Sequence, residues 1–303
     1  MSLTVVGSVA LDSVKTPYGS VEKAFGGSAT YASISSSYFT TPHIVGVVGN
    51  DYYNKFLELL SKRNVVTDGL ISENGETFQW EGEYKDDMND AITHDTRLNV
   101  FANFKPVIPE GYHKNNIVFL GNISPSLQLD VLKQSKQVKI KAADTMNFWI
   151  SNSPKEVWEV VKNVNILFVN HHETLMLCEE QNINRAAAKL LATGLDYLII
   201  KKGEFGVTLY SKNQIFCAPA YPLSNVMDPT GAGDCFAGGF LGYLSENMPA
   251  DFKKLKKACL YGTAMASFNI ENFSVNNMLK INREKIEKRY NDLIRLCDTG
   301  DIK

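Results

Sequence analysis

Late in the chain, Gly231, Ala232, Gly233 and Asp234 combine residue types that can hold an anion and move a proton. They follow the turn signal Asp228-Pro229-Thr230 and run into Ala237, Phe240, Leu241 and Leu244, which recur at helical spacing. The first turn of a helix carries backbone N–H groups without a partner inside the helix, and the helix dipole adds partial positive charge there. Glycines let an anion approach those groups closely, so the junction reads as a phosphate cradle. Asp234 sits inside it, and the positive helix end is expected to keep its carboxylate ionised at neutral pH. A cradled phosphate beside an ionised carboxylate suits a base that takes the proton of an attacking hydroxyl. A bare Gly-x-Gly-Asp is also what a tight turn with a capping aspartate looks like, so the rest of the chain has to decide.

Further candidates stand at the ends of apolar runs. Leu3 to Val6 ends at Gly7-Ser8, and Asp12 follows just past that first strand, where parallel sheets bind ligands. Gly26-Gly27-Ser28 opens a helix containing Ala29, Ala32 and Ile34, another place where a ligand can reach backbone N–H groups. Asn170-His171-His172-Glu173 follows a strand and is either a helix cap or a polar ligand set; Asp144 and Asn147 pose the same choice. His171 and His172 are not expected to hold zinc, because adjacent residues on an extended segment point oppositely and no third ligand is near.

The elements that must position these residues alternate. Short apolar runs over 43–48, 117–120, 138–142, 166–169, 197–201, 207–210 and 215–217 read as buried strands. Helical spacing marks 54–62, 126–137, 154–161 and 184–192. Two closing helices turn Leu255, Cys259 and Met265, then Ile286, Tyr290, Leu293, Ile294 and Cys297, inward. This order predicts a mostly parallel sheet covered on both faces, an α/β sandwich of three layers. Two stretches break the rhythm. Residues 13–25 and 73–105 alternate with period two around Thr77 to Tyr84 and Arg97 to Phe101, with a polar segment 86–95 between. They predict a discontinuous β lid on one domain spanning 1–303.

Bulk properties narrow the function. The 303 residues are 44% hydrophobic and 21% charged, with net charge −2, so no strong attraction to nucleic acid or an acidic membrane is expected. Five cysteines, without metal-ligand spacing, fit free thiols in a reducing cytoplasm. The start of the chain does not read as a signal peptide, and no run of 18 apolar residues predicts a membrane span.

The stretch Asp-x-Thr-Gly-Ala-Gly-Asp-x-Phe-x-Gly-Gly-Phe at 228–240 resembles the C-terminal signature of the ribokinase (PfkB) family of carbohydrate kinases. The likeness extends along nearly the whole chain. Residues 6–12 are similar to the family's first strand and sugar-contacting aspartate, and Gly26-Gly27-Ser28-Ala29-Thr30 to the signature that holds the acceptor. The resemblance implies a ribokinase-like fold and transfer of the γ-phosphoryl of ATP to a primary hydroxyl. Asp234 is then the base, and Gly231, Ala232 and Gly233 the anion hole. Asn170, Lys201, Gly203 and Gly206 lie where the family binds nucleotide, and Glu173 where it orders Mg²⁺ through water. Asp228 and Thr230 stand where ribokinase-like members bind a monovalent cation such as K⁺, and Asp12, Gly26, Gly27 and Tyr31 line the acceptor site.

Three departures bear on the acceptor and the nucleotide. Tyr31 replaces a sugar-contacting asparagine and offers a ring to stack on, Ala10 replaces another, and Lys201 replaces a threonine. A cation at 201 pairs with phosphate or points into solvent. A nucleoside acceptor of the adenosine type therefore stays open beside a simple sugar, and a non-catalytic sugar or nucleotide sensor is the remaining alternative. The apolar lid residues Phe78, Trp80 and Tyr84 suggest a homodimer paired through the lid.

Overall fold

The apolar runs assemble into one nine-stranded sheet. In chain order its strands are β1 (Leu3–Val6), then, after a hairpin of β2 (Ala10–Thr16) and β3 (Gly19–Gly26) and helix α1 (Ser28–Ser36), β4 (Pro42–Gly49). Helix α2 (Tyr53–Ser61) leads to β5 (Val66–Glu73), and β6 (Phe78–Tyr84) and β7 (Ala91–Arg97) join the hairpin. The chain continues through β8 (Ile117–Leu120), α3 (Pro125–Gln134), β9 (Ile140–Asp144), α4 (Asn147–Asn152), α5 (Pro154–Lys162) and β10 (Ile166–Asn170). It closes with α6 (His171–Cys178), α7 (Ile183–Leu191), β11 (Tyr197–Lys201), β12 (Val207–Ser211), β13 (Ile215–Ala218), α8 (Ala232–Glu246), α9 (Phe252–Asn269) and α10 (Arg283–Cys297). The structure, a computed structural model, describes residues 2–86, 88 and 91–297.

The large sheet has the order β13-β12-β11-β10-β9-β8-β1-β4-β5. It is parallel from β5 to β11 and antiparallel at β12 and β13. Its inner strands bury both faces, as continuous apolar runs require, while the edge strands β5 and β13 are largely exposed. Leu3 and Val5 face one core, shared with α1, α2, α8, α9 and α10, while Val6 faces a second core under α3 to α7. That is the expected three-layer α/β/α sandwich.

The small sheet, ordered β3-β2-β6-β7, is where expectation and structure part in detail. Asp12 lies on strand β2 of this sheet rather than on a loop after β1. Of the alternation read at 97–101, Arg97 ends β7 and 99–101 lie in a 3-10 turn, Asn99–Asn103; the partner strand is β7, most of it within the segment read only as polar. Residues 87, 89 and 90 of that segment lie outside the described residues. Polar β7 is a strand because β6 offers it an antiparallel ladder, with one register shift between Glu81 and Gly82, which side-chain polarity alone does not reveal. At the far end, Ile294 is 41% exposed and Cys297 is exposed, so the last turn of α10 does not carry the inward stripe expected there. Among the described residues no helix is long and apolar enough to cross a membrane.

Pairing fixes which face of the small sheet is which. Asp12 pairs with Trp80 and Ala10 with Phe78, so Asp12, Phe78, Trp80 and Tyr84 share a face. The opposite face carries Gln79, Glu81 and Glu83 beside Ser13 and Lys15, with Lys15 and His94 both on Glu83 at 3.0 and 3.2 Å. The apolar side of this sheet is thus the side that bears Asp12.

Candidate active site

Asp144, Asn170 and Lys201 are the last residues of β9, β10 and β11, at the carboxyl edge of the parallel sheet. Ligands bind at this edge in open α/β sheets because helix N-termini and strand ends converge there. Helix α8 begins at the same edge. Its N-cap, Gly231, has φ +74°, and a Cβ on it would lie 2.5 Å from the Tyr31 ring. Only glycine accepts both the left-handed backbone and that contact. The Ala232 N–H is spent in a turn on the Pro229 carbonyl at 3.1 Å. The backbone donors left free to meet an anion are therefore the Gly233 and Asp234 N–H groups of the first turn, which no helix carbonyl can reach.

Asp234 projects from that turn and is only partly accessible. Burial pushes its carboxyl up, Asp144 adds repulsion and Lys201 opposes both; the balance is about 7. The expectation of a carboxylate held ionised by the helix end is thus corrected: desolvation and a like charge outweigh the dipole. Asp12 tells the same story. It is 5% exposed, and burial with the charges of Asp228 and Asp234 raises it to about 7 against the Gly27 N–H and the Tyr31 hydroxyl. Gly26 is the close approach here, because a Cβ on it would lie 1.9 Å from the Asp12 Oδ2.

Tyr31 is 1% exposed. Its ring lies under Gly231 and its hydroxyl faces Asp12 without a well-formed hydrogen bond. In this conformation it is a floor joining two parts of the site and offers no open face for stacking. Trp80 is half-buried on the same sheet face as Asp12, its indole folded over Gly82 and its Nε1 donating to Thr93 Oγ1 at 3.2 Å.

Asn170 and Glu173 form a capping box on α6: the Glu173 N–H donates to Asn170 Oδ1 and the Asn170 N–H to Glu173 Oε2, both at 2.7 Å. Glu173 is 8% exposed and faces Lys201. Lys201 does not point into solvent. Its Nζ donates to Asp144 Oδ2 at 2.6 Å, and burial works against its charge, but Asp144, Glu173 and Asp234 more than compensate and raise its affinity for the proton. Gly203 and Gly206 flank the turn between β11 and β12, where the Lys202 N–H donates to the Gly206 carbonyl at 2.8 Å.

Asp228 is 1% exposed, with its carboxylate accepting from the Thr230 N–H at 2.9 Å and the Ser274 N–H at 3.3 Å. Thr230 donates its hydroxyl to the Tyr84 hydroxyl at 3.4 Å, so the small sheet reaches the α8 loop directly. Asn269 donates to the Thr230 carbonyl at 2.8 Å, leaving its own buried Oδ1 without a partner. Sequence reasoning missed Asn269, Tyr84 and Trp80 as neighbours of the site, and left Asp144 undecided. Asp144 carried a signal, a carboxylate ending a strand; Asn269 is the last residue of α9 and carried none.

Comparison with known proteins places nearly the whole chain in a family and a fold. The profile of the pfkB family carbohydrate kinases matches residues 2–282. A cytidine kinase of Thermococcus kodakarensis is 29% identical over 259 residues, covering 83% of this chain and 91% of the relative. The structure of a Methanocaldococcus jannaschii nucleoside kinase matches with TM-score 0.80 at 24% identity, covering 96% of this chain and 98% of that one. A putative ribokinase II from E. coli, solved in complex with ATP and Mg²⁺, matches with TM-score 0.80 at 18% identity, covering 96% and 99%.

Proposed function

This chain belongs to the pfkB family of carbohydrate kinases, and from that premise we propose that it phosphorylates the primary hydroxyl of a ribose carried by a nucleoside. It is an ATP-dependent phosphotransferase with an alcohol group as acceptor. The observation that carries the site is the meeting of Asp234, the first-turn N–H groups of α8 and the Lys201 ammonium. In the proposed mechanism Asp12 binds a hydroxyl of the acceptor, between the N-terminus of α1 and the small sheet. Asp234 accepts the proton of the attacking hydroxyl as its oxygen bonds to the γ-phosphorus. The bond from that phosphorus to the β-phosphate oxygen breaks and ADP leaves. Gly233 and Asp234 N–H groups stabilise the charge gathering on the phosphoryl oxygens. The small sheet, as a lid, excludes water that would compete as nucleophile.

Among the described residues no three His, Cys, Asp or Glu side chains cluster as a metal cage. That suits Mg²⁺, which is commonly held by one or two carboxylates and by substrate phosphates. Glu173 would hold it through water beside Asn170, and its chemistry is to bridge phosphates and neutralise their charge. Asp228, Thr230 and the unpartnered Asn269 Oδ1 fit a monovalent cation, K⁺, and activation by K⁺ over Na⁺ tests that proposal.

A nucleoside rather than a free sugar is favoured by Trp80, an aromatic surface on the face that bears Asp12; the relatives include cytidine and nucleoside kinases beside fructokinases and a ribokinase. Coupled ADP-release assays with cytidine, adenosine, inosine, ribose and fructose decide it. Turnover on ribose or fructose with none on nucleosides would overturn the acceptor; turnover on none of them would argue for a sensor. Self-association through the small sheet is the matching proposal for the assembly.

A further inference from the structure

Asp144 and Lys201 end β9 and β11, and their side chains meet across the end of the strand between them at 2.6 Å. Asp144 is 5% and Lys201 19% exposed. A buried pair of this kind adds little net stability, because desolvating two charges offsets their attraction. Its contribution must be sought in where the charges stand. Gly233 gives the place: a Cβ on it would lie 2.9 Å from Lys201 Nζ. The ammonium therefore rests against the first turn of α8, beside the N–H groups that bind anions.

Asp144 is itself locked. Its Oδ1 accepts from the Thr145 N–H at 2.9 Å, and its carbonyl accepts from the buried Gln128 amide at 2.8 Å. A lysine otherwise has a long flexible stem and loses much rotamer freedom when it must be ordered. Ordering it beforehand is what makes a charge useful in a transition state. We infer that Asp144 is a positioning residue: it holds the Lys201 ammonium against Gly233, so that one full positive charge joins the backbone donors facing the transferred phosphoryl group. The inference rests on the kinase reading, and Asp144 acts through Lys201 without touching the reactants.

The full chain, its Asp144→Asn, Lys201→Met and Lys201→Arg variants and the double variant Asp144→Asn/Lys201→Met test this with the best acceptor found for the unaltered protein. We expect kcat to fall on the order of 10²-fold for Lys201→Met and about 10-fold for Asp144→Asn, the size of effect that losing one aimed donor or its orientation has. The double variant falls no further than Lys201→Met, within about 3-fold, because the two act as one unit. Lys201→Arg recovers at least about 10-fold over Lys201→Met, since the charge is kept. The acid limb of kcat/KM also moves in opposite directions. Asp234 is faced by Asp12 from β2, Asp144 from β9 and Lys201 from β11, with Glu173 of α6 and Asp228 beside them. Removing the negative neighbour lowers the limb, and removing the positive one raises it.

A pair that only supports the fold would lower melting temperature while leaving kcat and the limb in place, and that result overturns the inference. So does a rise in kcat or ATP affinity in Asp144→Asn, which would mean that Asp144 keeps Lys201 away from phosphate. If Asp144→Asn does not fold, Lys201→Met against Lys201→Arg decides alone: equal turnover in the two overturns it. An unaltered protein inactive on every acceptor would instead overturn the kinase reading.

Discussion

Asp234 holds a proton at neutral pH more firmly than an ordinary carboxylate, and two expectations follow from that one fact. Asp234→Asn should cost about 10²–10⁴ in kcat, the usual worth of a positioned base, with an unchanged circular-dichroism spectrum as the control for folding. The unaltered protein should show kcat/KM rising with pH through about 7 and levelling above it, because the base acts only when deprotonated. The same group sets a stability trend of definite sign. Its folded proton affinity, like that of Asp12, lies above the ordinary carboxylate value of 3.8. The folded state therefore binds more protons, and stability falls as pH rises from about 4 to about 7. Asp234→Asn should thus melt higher than the unaltered protein at pH 8, by about 2–6 °C, and no higher at pH 4. Scanning fluorimetry at the two values checks it; an equal shift at both would contradict the assignment. The residue types of this site were legible in the sequence. The charge state of Asp234 was not, because a motif shows the helix end but neither the burial of the carboxyl nor the Asp144 carboxylate brought beside it from β9.

At the scale of elements, two local structures carry the site. Gly231→Ala forces a side chain into the left-handed region and against the Tyr31 ring, which should cost about 2–4 kcal/mol and remove activity by shifting the start of α8. Asn170→Ala removes one half of the α6 capping box and should cost about 1 kcal/mol, read by urea denaturation. Helix α4 was not read and α6 stayed an open choice, but most helices and parallel strands were readable because burial writes itself as apolar runs. Strands β5 and β7 were not. In β7 most residues are exposed, and its pairing with β6 is a long-range choice that period-two spacing does not announce. Asp12 likewise was assigned to the right neighbourhood but to the wrong element, since a strand that leaves one sheet for another looks like a loop in sequence.

For the whole molecule, the orientation of the small sheet decides what a second copy can meet. Its apolar face bears Asp12 and Tyr84 contacts Thr230, so pairing would use the outer face with Lys15, Glu83, His94, Asp95 and Arg97. An association through such exposed charges should weaken as salt rises. Sedimentation velocity at micromolar protein in low and high salt tests it: a dimer is expected at low salt, and a sole monomer there would contradict the proposal. The proposed response to K⁺ belongs to this scale too, because Asn269 on α9 and Asp228 before α8 lie on different elements.

The buried phenol of Tyr31 has one more implication. Its ring lies against Gly231 and its hydroxyl faces Asp12, so under the proposed mechanism the two reactants would share a single rigid plank. Their apparent affinities should therefore vary in concert, with the Michaelis constant for ATP depending on which acceptor is present. In Tyr31→Phe, which keeps the ring and drops the hydroxyl, that cross-talk should fade while each reactant is still taken up.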